Sequence, residues 1–192
     1  MSLDHEVSHH PQLLFNPTLS VQDLWFCGHR LGDPAHSINV ERIRAVSMMP
    51  FPAGATRQIY KDNKTYYVID DQRIEYPLAA QITAACSDDG WLHTREGVRY
   101  RIREGRIVEI GITPPLLAYY QTIPKADIQA RFRLADRVIE KYNDDGLSMT
   151  DFVYHERMLR IHYRDEDSRI ETINLGETLI DWATMDSTLF RL

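Results

Sequence analysis

Two segments of the chain carry basic side chains at every second position. They are Arg99, Arg101 and Arg103 in one segment, and Arg160, His162 and Arg164 in the other. Apolar residues fill the positions between them, and this alternation is typical of a β-strand with one dry and one wet face. If the two strands are neighbours, the six side chains form a single patch, which we call the basic stripe. Such a patch is suited to docking an acidic protein partner or a phosphate group.

The basic stripe also has a simpler interpretation. Carboxylates on neighbouring strands, such as Glu109 and Glu171, would neutralise the basic side chains across the sheet. The face would then be an ordinary solvated surface. The strand order decides between the two interpretations, because it determines which carboxylates lie opposite the arginines.

A second group of candidate residues is aromatic. Its members are Tyr67, Trp91, His93, Tyr100 and Tyr163. They are candidates for lining a small-molecule pocket between a sheet and its covering helices, where apolar walls carry a few polar groups. The alternative is that the tyrosines fill the core and that their hydroxyl groups reach its edge.

Eight histidines raise the question of a metal site. The string His5-Glu6-Val7-Ser8-His9 matches the H-E-x-x-H pattern of zinc proteases, which needs a helix that brings both histidines to one face. No apolar periodicity around this string predicts such a helix, and the other histidines lack ligand spacing. We therefore expect neither a metal nor another cofactor.

Motifs for covalent or acid–base catalysis are missing from the sequence. It contains no G-x-S-x-G nucleophile motif and no Gly-rich phosphate loop. The adjacent carboxylates Asp88-Asp89 and Asp144-Asp145 each precede a glycine, as is typical of turns and helix ends. Cys27 and His29 would share one face of a strand, but a buried structural cysteine is the usual outcome at this spacing. The sequence therefore favours a protein without catalytic activity.

Composition narrows the class of partner and the compartment. The chain has 28 acidic and 22 basic residues and a net charge of −6, whereas binding to a nucleic-acid backbone requires a basic surface. Its two cysteines lie far apart in sequence, which favours reduced thiols. The sequence shows no signal peptide and no apolar run of membrane-spanning length. We expect a soluble cytoplasmic protein that binds neither nucleic acid nor membrane.

A short signature recurs three times beyond residue 55. The pattern Tyr-x3-(Asp/Glu)-x-Arg-Ile fits the segments that begin at Tyr67, Tyr100 and Tyr163. In each segment the acidic residue belongs to a polar turn, and Arg-Ile opens a second alternating run. This order predicts three β-hairpins, and we interpret the common signature as a weak structural repeat.

Helices are predicted between the hairpins. Residues 78–86 form a short apolar helix, and residues 124–142 form the longest one, since apolar side chains recur there at helical spacing. Further predictions are a short helix within residues 38–48 capped by Ser37 or Asn39, a helix that starts after Thr178, and a strand over residues 24–29.

Antiparallel hairpins that alternate with helices predict an α+β fold, in which a mainly antiparallel sheet built from three β-hairpins has helices packed on one face. Residues 1–12 are expected to be a disordered tail. Residues 13–192 are expected to be a single domain, with a weak candidate boundary near residues 49–55, where prolines cluster.

Two functions fit these features of the sequence. The favoured one is a non-catalytic interaction protein, which uses the outward sheet face and its basic stripe to bind an acidic protein partner. The alternative is a small-molecule-binding domain with a pocket between the sheet and the helices, in which enzymatic action would be a further step. The sequence does not identify the partner or the ligand.

Overall fold

Two antiparallel sheets dominate the computed structural model, which describes residues 5–47, 51–62, 64–142 and 146–176. The strands are β1 (Ile43–Ser47), β2 (Ala55–Lys61), β3 (Lys64–Ile69), β4 (Gln72–Glu75), β5 (Asp89–Thr94), β6 (Val98–Arg103), β7 (Arg106–Ile112), β8 (Arg137–Tyr142), β9 (Ser148–Tyr154), β10 (Leu159–Arg164) and β11 (Arg169–Gly176). The helices are α1 (Leu78–Ser87), α2 (Ala118–Gln121) and α3 (Lys125–Phe132).

The larger sheet has eight strands in the order β1-β5-β6-β7-β11-β10-β9-β8. Strands β1, β5, β6 and β7 form what we call the first half, and β8, β9, β10 and β11 form the second half. The two halves have mirrored strand orders and meet at the antiparallel pair β7–β11. The first half is interrupted in sequence by a three-stranded sheet (β2-β3-β4) and by helix α1.

The prediction of an α+β fold with mostly antiparallel sheets is confirmed. Strands pair as hairpins at all three predicted places, β3–β4, β6–β7 and β10–β11. Only the second and third of these hairpins belong to the eight-stranded sheet, because the first lies in the smaller sheet. Several unpredicted strands complete the larger sheet.

The signature tyrosines do not occupy equivalent places in the hairpins. Tyr100 lies three positions before the last strand pair, Arg103 with Arg106, whereas Tyr163 lies one position before its last pair. The turn of the third hairpin is longer than that of the second. The same sequence pattern therefore covers different parts of the strands and the turn in the two hairpins. What the two hairpins share instead is the spacing of the basic side chains from the turn.

One face of the eight-stranded sheet is apolar and forms the centre of the core. Its largest fully buried members include Tyr100, Leu92 and Ile110. Ile82 of α1 and Tyr120 of α2 belong to the same apolar cluster. Helix α1 contacts β1, β5 and β6, and helix α2 contacts β11. The opposite face carries the polar residues, and we call it the polar face.

The N-terminal segment, expected to be part of a tail, is packed against the domain from residue 5 onward. Val7 is fully buried, and its amide donates a hydrogen bond of 2.8 Å to the carbonyl of Trp25. Glu6 is also buried, and its carboxylate accepts hydrogen bonds from the amides of Cys27 and Gly28 at 2.8 and 2.9 Å. The H-E-x-x-H string runs from a 3₁₀ residue at His5 through a bridge at Glu6 into a turn, so no α-helix carries its two histidines.

The helix predicted over residues 124–142 is wrong beyond Phe132. Arg133 adopts a positive φ of 74°, which ends α3, and residues 137–142 form β8 instead. Six residues of β8 pair with β9, and the alternating burial along β8 shows period two. Pairing with β9 therefore overrides the helical spacing of the apolar residues.

Three smaller predictions have different outcomes. The helix at residues 78–86 is confirmed as α1. The helix predicted within residues 38–48 is reduced to one 3₁₀ turn that Asn39 caps, and β1 follows it. The segment 24–29 is not a strand but a bridge to Glu6 followed by a turn. The helix predicted after Thr178 lies outside the described residues.

Candidate functional site on the polar face

The strand register brings both segments of the basic stripe onto the polar face. Arg99 of β6 lies opposite Gly111 of β7, Gly111 lies opposite Asn174 of β11, and Asn174 lies opposite Arg160 of β10. Arg99 and Arg160 therefore occupy mirrored positions in the two halves. Trp91 and Asp151 are mirrored in the same way. Trp91 lies opposite Arg101 in the first half, and Asp151 lies opposite His162 in the second half.

Arg99 lies flat across the centre of the polar face. Its guanidinium stacks over the ring of Trp91, 4.6 Å from the ring centroid, and its Nη2 donates a 2.9 Å hydrogen bond to Oδ1 of Asn174. Gly111 makes this path available, because a Cβ at that position would lie 2.2 Å from Nε of Arg99. Neither Trp91 nor Asn174 carries a charge, so the positive charge of Arg99 is held in place without being neutralised by them.

His93 adjoins Arg99 on the neighbouring strand. Its Nε2 lies 2.7 Å from Oγ of Ser47. Burial lowers the pKa of His93 to about 4, and the positive charges of Arg99 and Arg44 act in the same direction. The imidazole is therefore neutral at neutral pH, and it adds a polar but uncharged group to the face.

Arg101 is the neutralised member of the first-half stripe. Its guanidinium lies 3.4 Å from the carboxylate of Asp89 and 3.8 Å from that of Glu109. Glu109 is one of the two carboxylates that the sequence suggested as neutralising partners. Arg101 is only about a fifth exposed.

Asp151 is the centre of the second-half stripe. It is fully buried, and its carboxylate accepts hydrogen bonds from Nε of Arg160 at 3.1 Å and from Nδ1 of His162 at 2.7 Å. A second guanidinium nitrogen of Arg160 also contacts it, and Nζ of Lys141 lies 2.8 Å away. One carboxylate thus fixes three nitrogen-bearing side chains from β8 and β10.

Protonation in this cluster follows from burial and from the neighbours. Burial by itself would raise the pKa of Asp151, but the hydrogen bond from His162 and the charges around it outweigh burial and hold the pKa well below its usual range. Burial lowers the pKa of His162, although Asp151 opposes this effect. At neutral pH the cluster therefore holds a carboxylate, two cations and a neutral imidazole that donates its Nδ1 hydrogen.

The second and third hairpins also differ in the salt bridges at their turn ends. In the third hairpin, Asp167 contacts both Arg164 at 2.9 Å and Arg169 at 3.1 Å, and Glu171 also pairs with Arg164. In the second hairpin, the described residues provide no salt bridge to Arg103. The neutralising role expected of Glu171 therefore applies to one hairpin end and has no counterpart at the other.

The six residues of the basic stripe thus fall into two groups, those with a carboxylate within ion-pair distance and those without one. Carboxylates within ion-pair distance serve four of its members: Arg101, Arg160, His162 and Arg164. Within the part of the chain that the structure describes, Arg99 and Arg103 have none. Each of the two interpretations offered by the sequence applies to part of the stripe, and both members without a salt bridge belong to the first half.

The aromatic candidates do not line one pocket. Tyr67 is buried in the smaller sheet, where its ring contacts Phe51 and Tyr76. Tyr100 and Tyr163 are buried on the apolar face of the larger sheet, and the hydroxyl of Tyr100 donates to the carbonyl of Phe26 at 2.6 Å. Trp91 and His93 lie on the polar face, opposite the two tyrosines. The sheet separates the members of this group.

Cys27 and the N-terminal string form a separate polar cluster. Sγ of Cys27 lies 3.2 Å from Oγ of Ser8, and both cysteines of the chain are free thiols. Burial raises the pKa of Cys27, so the thiol stays protonated at neutral pH. Among residues 5–47, 51–62, 64–142 and 146–176, no group of three or more His, Cys, Asp and Glu side chains is arranged to hold a metal ion.

Sequence reasoning missed several residues of the polar face. Asp151, Lys141, Asn174 and Gly111 were not predicted to belong to it. The alternation through Thr150, Phe152 and Tyr154 would have placed Asp151 on the wet side of β9. Lys141 could not be placed on this face from the sequence, because a helix was predicted for the residues that form β8.

Comparison of the chain with protein-family models, with curated proteins and with solved structures gives no match. In the described part of the chain, every helix is too short or too polar to cross a membrane. Function must therefore be inferred from the geometry and the charges of the polar face.

Proposed function

We propose that this chain is a non-catalytic binding protein that uses its polar face to engage an acidic protein partner. The observation that carries the proposal is the state of Arg99. It lies at the centre of the face, fixed by Trp91 and Asn174, and no carboxylate of the described residues pairs with it. A positive charge that is held in one conformation and forms no salt bridge within the described residues binds an acidic group with little further loss of side-chain entropy.

The composition of the face supports binding. Tryptophan and arginine are the residue types that contribute most to protein interfaces when they lie near the centre of the contact. Trp91 is 7% exposed and shields one side of Arg99 from water. In the second half, the ion pairs around Asp151 keep the surrounding strands in register and give the face a fixed shape.

The protonation states support a role without catalysis. General acids and bases work best with a pKa near the working pH. The resolved shifts move His93 and His162 to lower pKa, Cys27 to higher pKa, and Asp151 to lower pKa, in each case away from neutrality. These groups are therefore suited to fixed structural roles rather than to proton transfer at pH 7.

Affinity capture with the full chain as bait tests the proposal. The face variant is Arg99→Gln, and the matched control is Arg57→Gln, which removes the same charge from an exposed position of the smaller sheet. We expect Arg99→Gln to reduce the affinity for the captured acidic partner about tenfold, and Arg57→Gln to leave it unchanged. Equal affinities of the two variants would contradict the proposal, provided that both unfold at the temperature of the unsubstituted chain.

A further inference from the structure

A large groove lies at the turn end of the second hairpin. Its volume is about 760 Å³, and its charged lining residues are Asp23, Arg30, Asp33, Arg103 and Arg106. The groove is continuous with the polar face, because Arg103 belongs to the basic stripe. It is therefore an extension of the proposed binding surface beyond the end of the sheet.

The two hairpin arginines in this groove are directly opposite each other. Arg103 and Arg106 form the last cross-strand pair of β6 and β7. Like charges in this position repel each other unless an anion lies between them. Arg106 donates a 2.9 Å hydrogen bond to the carbonyl of Gly32, and neither arginine has a salt bridge within the described ranges.

The third hairpin shows what such a pair binds. Arg164 and Arg169 form the corresponding last pair of β10 and β11. There the carboxylate of Asp167 contacts both guanidinium groups, at 2.9 and 3.1 Å. The molecule thus contains its own example of a carboxylate seated between two cross-strand arginines. In the second hairpin, Glu104 takes the matching place in the signature, but within the described residues no salt bridge joins it to Arg103 or Arg106.

The other charges of the groove leave this pair available. The carboxylate of Asp33 accepts a hydrogen bond from the amide of Arg30 at 3.0 Å and lies 3.8 Å from its guanidinium. Arg30 in turn lies over the ring of Trp25, 5.0 Å from the centroid. These two charges balance each other, so among the lining residues of the groove Asp23 is left to oppose the two hairpin arginines.

The wall of the groove is fixed to the hairpin by backbone hydrogen bonds. The amide of Gly32 donates to the carbonyl of Ile107 at 2.8 Å, and the amide of Ile107 donates to the carbonyl of Asp33 at 2.9 Å. The amide of Ala35 donates to the carbonyl of Gly105 at 2.8 Å. The groove therefore exists before any ligand arrives, which lowers the entropic cost of binding.

We propose that this groove seats a carboxylate side chain of an acidic peptide segment between Arg103 and Arg106, in the role that Asp167 has at the other hairpin end. The inference rests on the proposed function and specifies where the acidic partner is held. A peptide is favoured over a small anion, because the groove is several times larger than one carboxylate and Arg103 of the basic stripe lines it.

A fluorescently labelled hexaglutamate peptide is the probe, and the full chain is titrated against it at moderate salt. The chain has a net charge of −6, so binding of this peptide reports a local basic site rather than general attraction. We expect saturable binding that Arg103→Gln and Arg106→Gln each weaken about tenfold. The matched control is Arg169→Gln at the third hairpin, which should leave the affinity unchanged.

Competition with succinate and with inorganic phosphate distinguishes a peptide site from a small-anion site. The inference predicts that neither competes at concentrations comparable to the peptide, whereas equal competition by either would overturn the peptide assignment in favour of a small-anion site. Loss of binding in Arg99→Gln but not in Arg103→Gln would overturn the groove inference and leave the proposed function standing. Absence of peptide binding would overturn the groove inference as well, and partner capture with Arg99→Gln would then decide the proposed function separately.

Discussion

The two halves of the eight-stranded sheet place the same residue type at mirrored positions and surround it differently. Arg99 of the first half stacks on Trp91, whereas Arg160 of the second half pairs with the buried carboxylate of Asp151. Trp91 and Asp151 themselves occupy mirrored positions, so this residue difference contributes to the different environments of the two arginines. The same strand arrangement therefore holds one arginine against an aromatic ring and the other against a carboxylate.

An indole ring and a carboxylate both hold a guanidinium, but they leave different charges behind. The ring offers its π face and no net charge, so Arg99 remains positive toward a partner. The carboxylate forms a salt bridge with Arg160 in a buried cluster, which it shares with Lys141. We infer that the first half is the binding half and that the second half mainly maintains the structure.

The largest effect is expected from Asp151→Asn. The amide cannot balance Arg160 and Lys141, so two buried or half-buried cations would lose their counterion. We expect the free energy of unfolding to fall by about 3 kcal/mol, as measured by urea denaturation. A loss below about 1 kcal/mol would show that the stability of the second half does not depend on this ion pair. It would contradict the inference that the second half mainly maintains the structure.

The pH dependence of stability should also separate the halves. His93 has a folded-state pKa of about 4, whereas an unfolded histidine titrates near pH 6.5. The unfolded chain therefore binds a proton first on acidification, and the stability that neutral His93 contributes is complete above about pH 6.5 and is lost as the pH falls toward 4. His93→Gln should flatten the stability profile in this window by on the order of 2 kcal/mol.

Asp151 should act in a different pH window. Its folded-state pKa lies below the unfolded value of about 3.9, so its contribution is present above that pH and is lost as the pH falls further. Urea denaturation of the two variants over pH 3 to 8 measures both effects. If His93→Gln leaves the slope between pH 4 and 6.5 unchanged, the assignment of His93 as a buried neutral group is wrong.

The fold class was predictable from the sequence, because period-two alternation is a property of each segment alone. The hairpins β6–β7 and β10–β11 could be recognised in this way. Strand β8 could not, because its apolar residues recur at helical spacing and its pairing with the following strand, β9, overrides that pattern. The hydrogen bond from Arg99 to Asn174 depends on the β7–β11 pairing, which no turn residue specifies.

Charge balance was even less accessible to the sequence. The neutralising partner Glu109 was anticipated from strand adjacency, but Asp151 was not, since β9 had not been placed in the sheet. The sequence identified the six basic residues correctly as a group on one face. The structure was needed to divide them into neutralised and unneutralised members.

Gly111→Ala should affect the first half selectively. A Cβ at this position would lie 2.2 Å from Nε of Arg99, so the side chain must leave its place over the glycine and lose its hydrogen bond to Asn174. We expect a loss of about 1 kcal/mol in the free energy of unfolding and a displaced Nε–Hε signal of Arg99 in NMR spectra. Asn174→Ala is the control, because it removes the hydrogen bond but leaves the path over Gly111 open. An unmoved Arg99 signal in Gly111→Ala would contradict the packing described.

The smallest effect on stability, within about 0.5 kcal/mol, is expected from Asp167→Ala, since this carboxylate is 42% exposed. Its effect on binding should be larger, because the change frees Arg169 and partly frees Arg164 for an external anion. In the Arg106→Gln background, Asp167→Ala should restore part of the hexaglutamate affinity. Failure to restore it would show that the two hairpin ends are not equivalent sites.

The most direct test of the division between the halves is an NMR titration of the arginine Nε–Hε signals with hexaglutamate, using the unsubstituted full chain. We predict that the signals of Arg99 and Arg103 shift in a saturable manner, while those of Arg160 and Arg164 stay in place because Asp151, Asp167 and Glu171 already occupy them. Shifts of equal size at Arg160 and Arg164 would contradict the division.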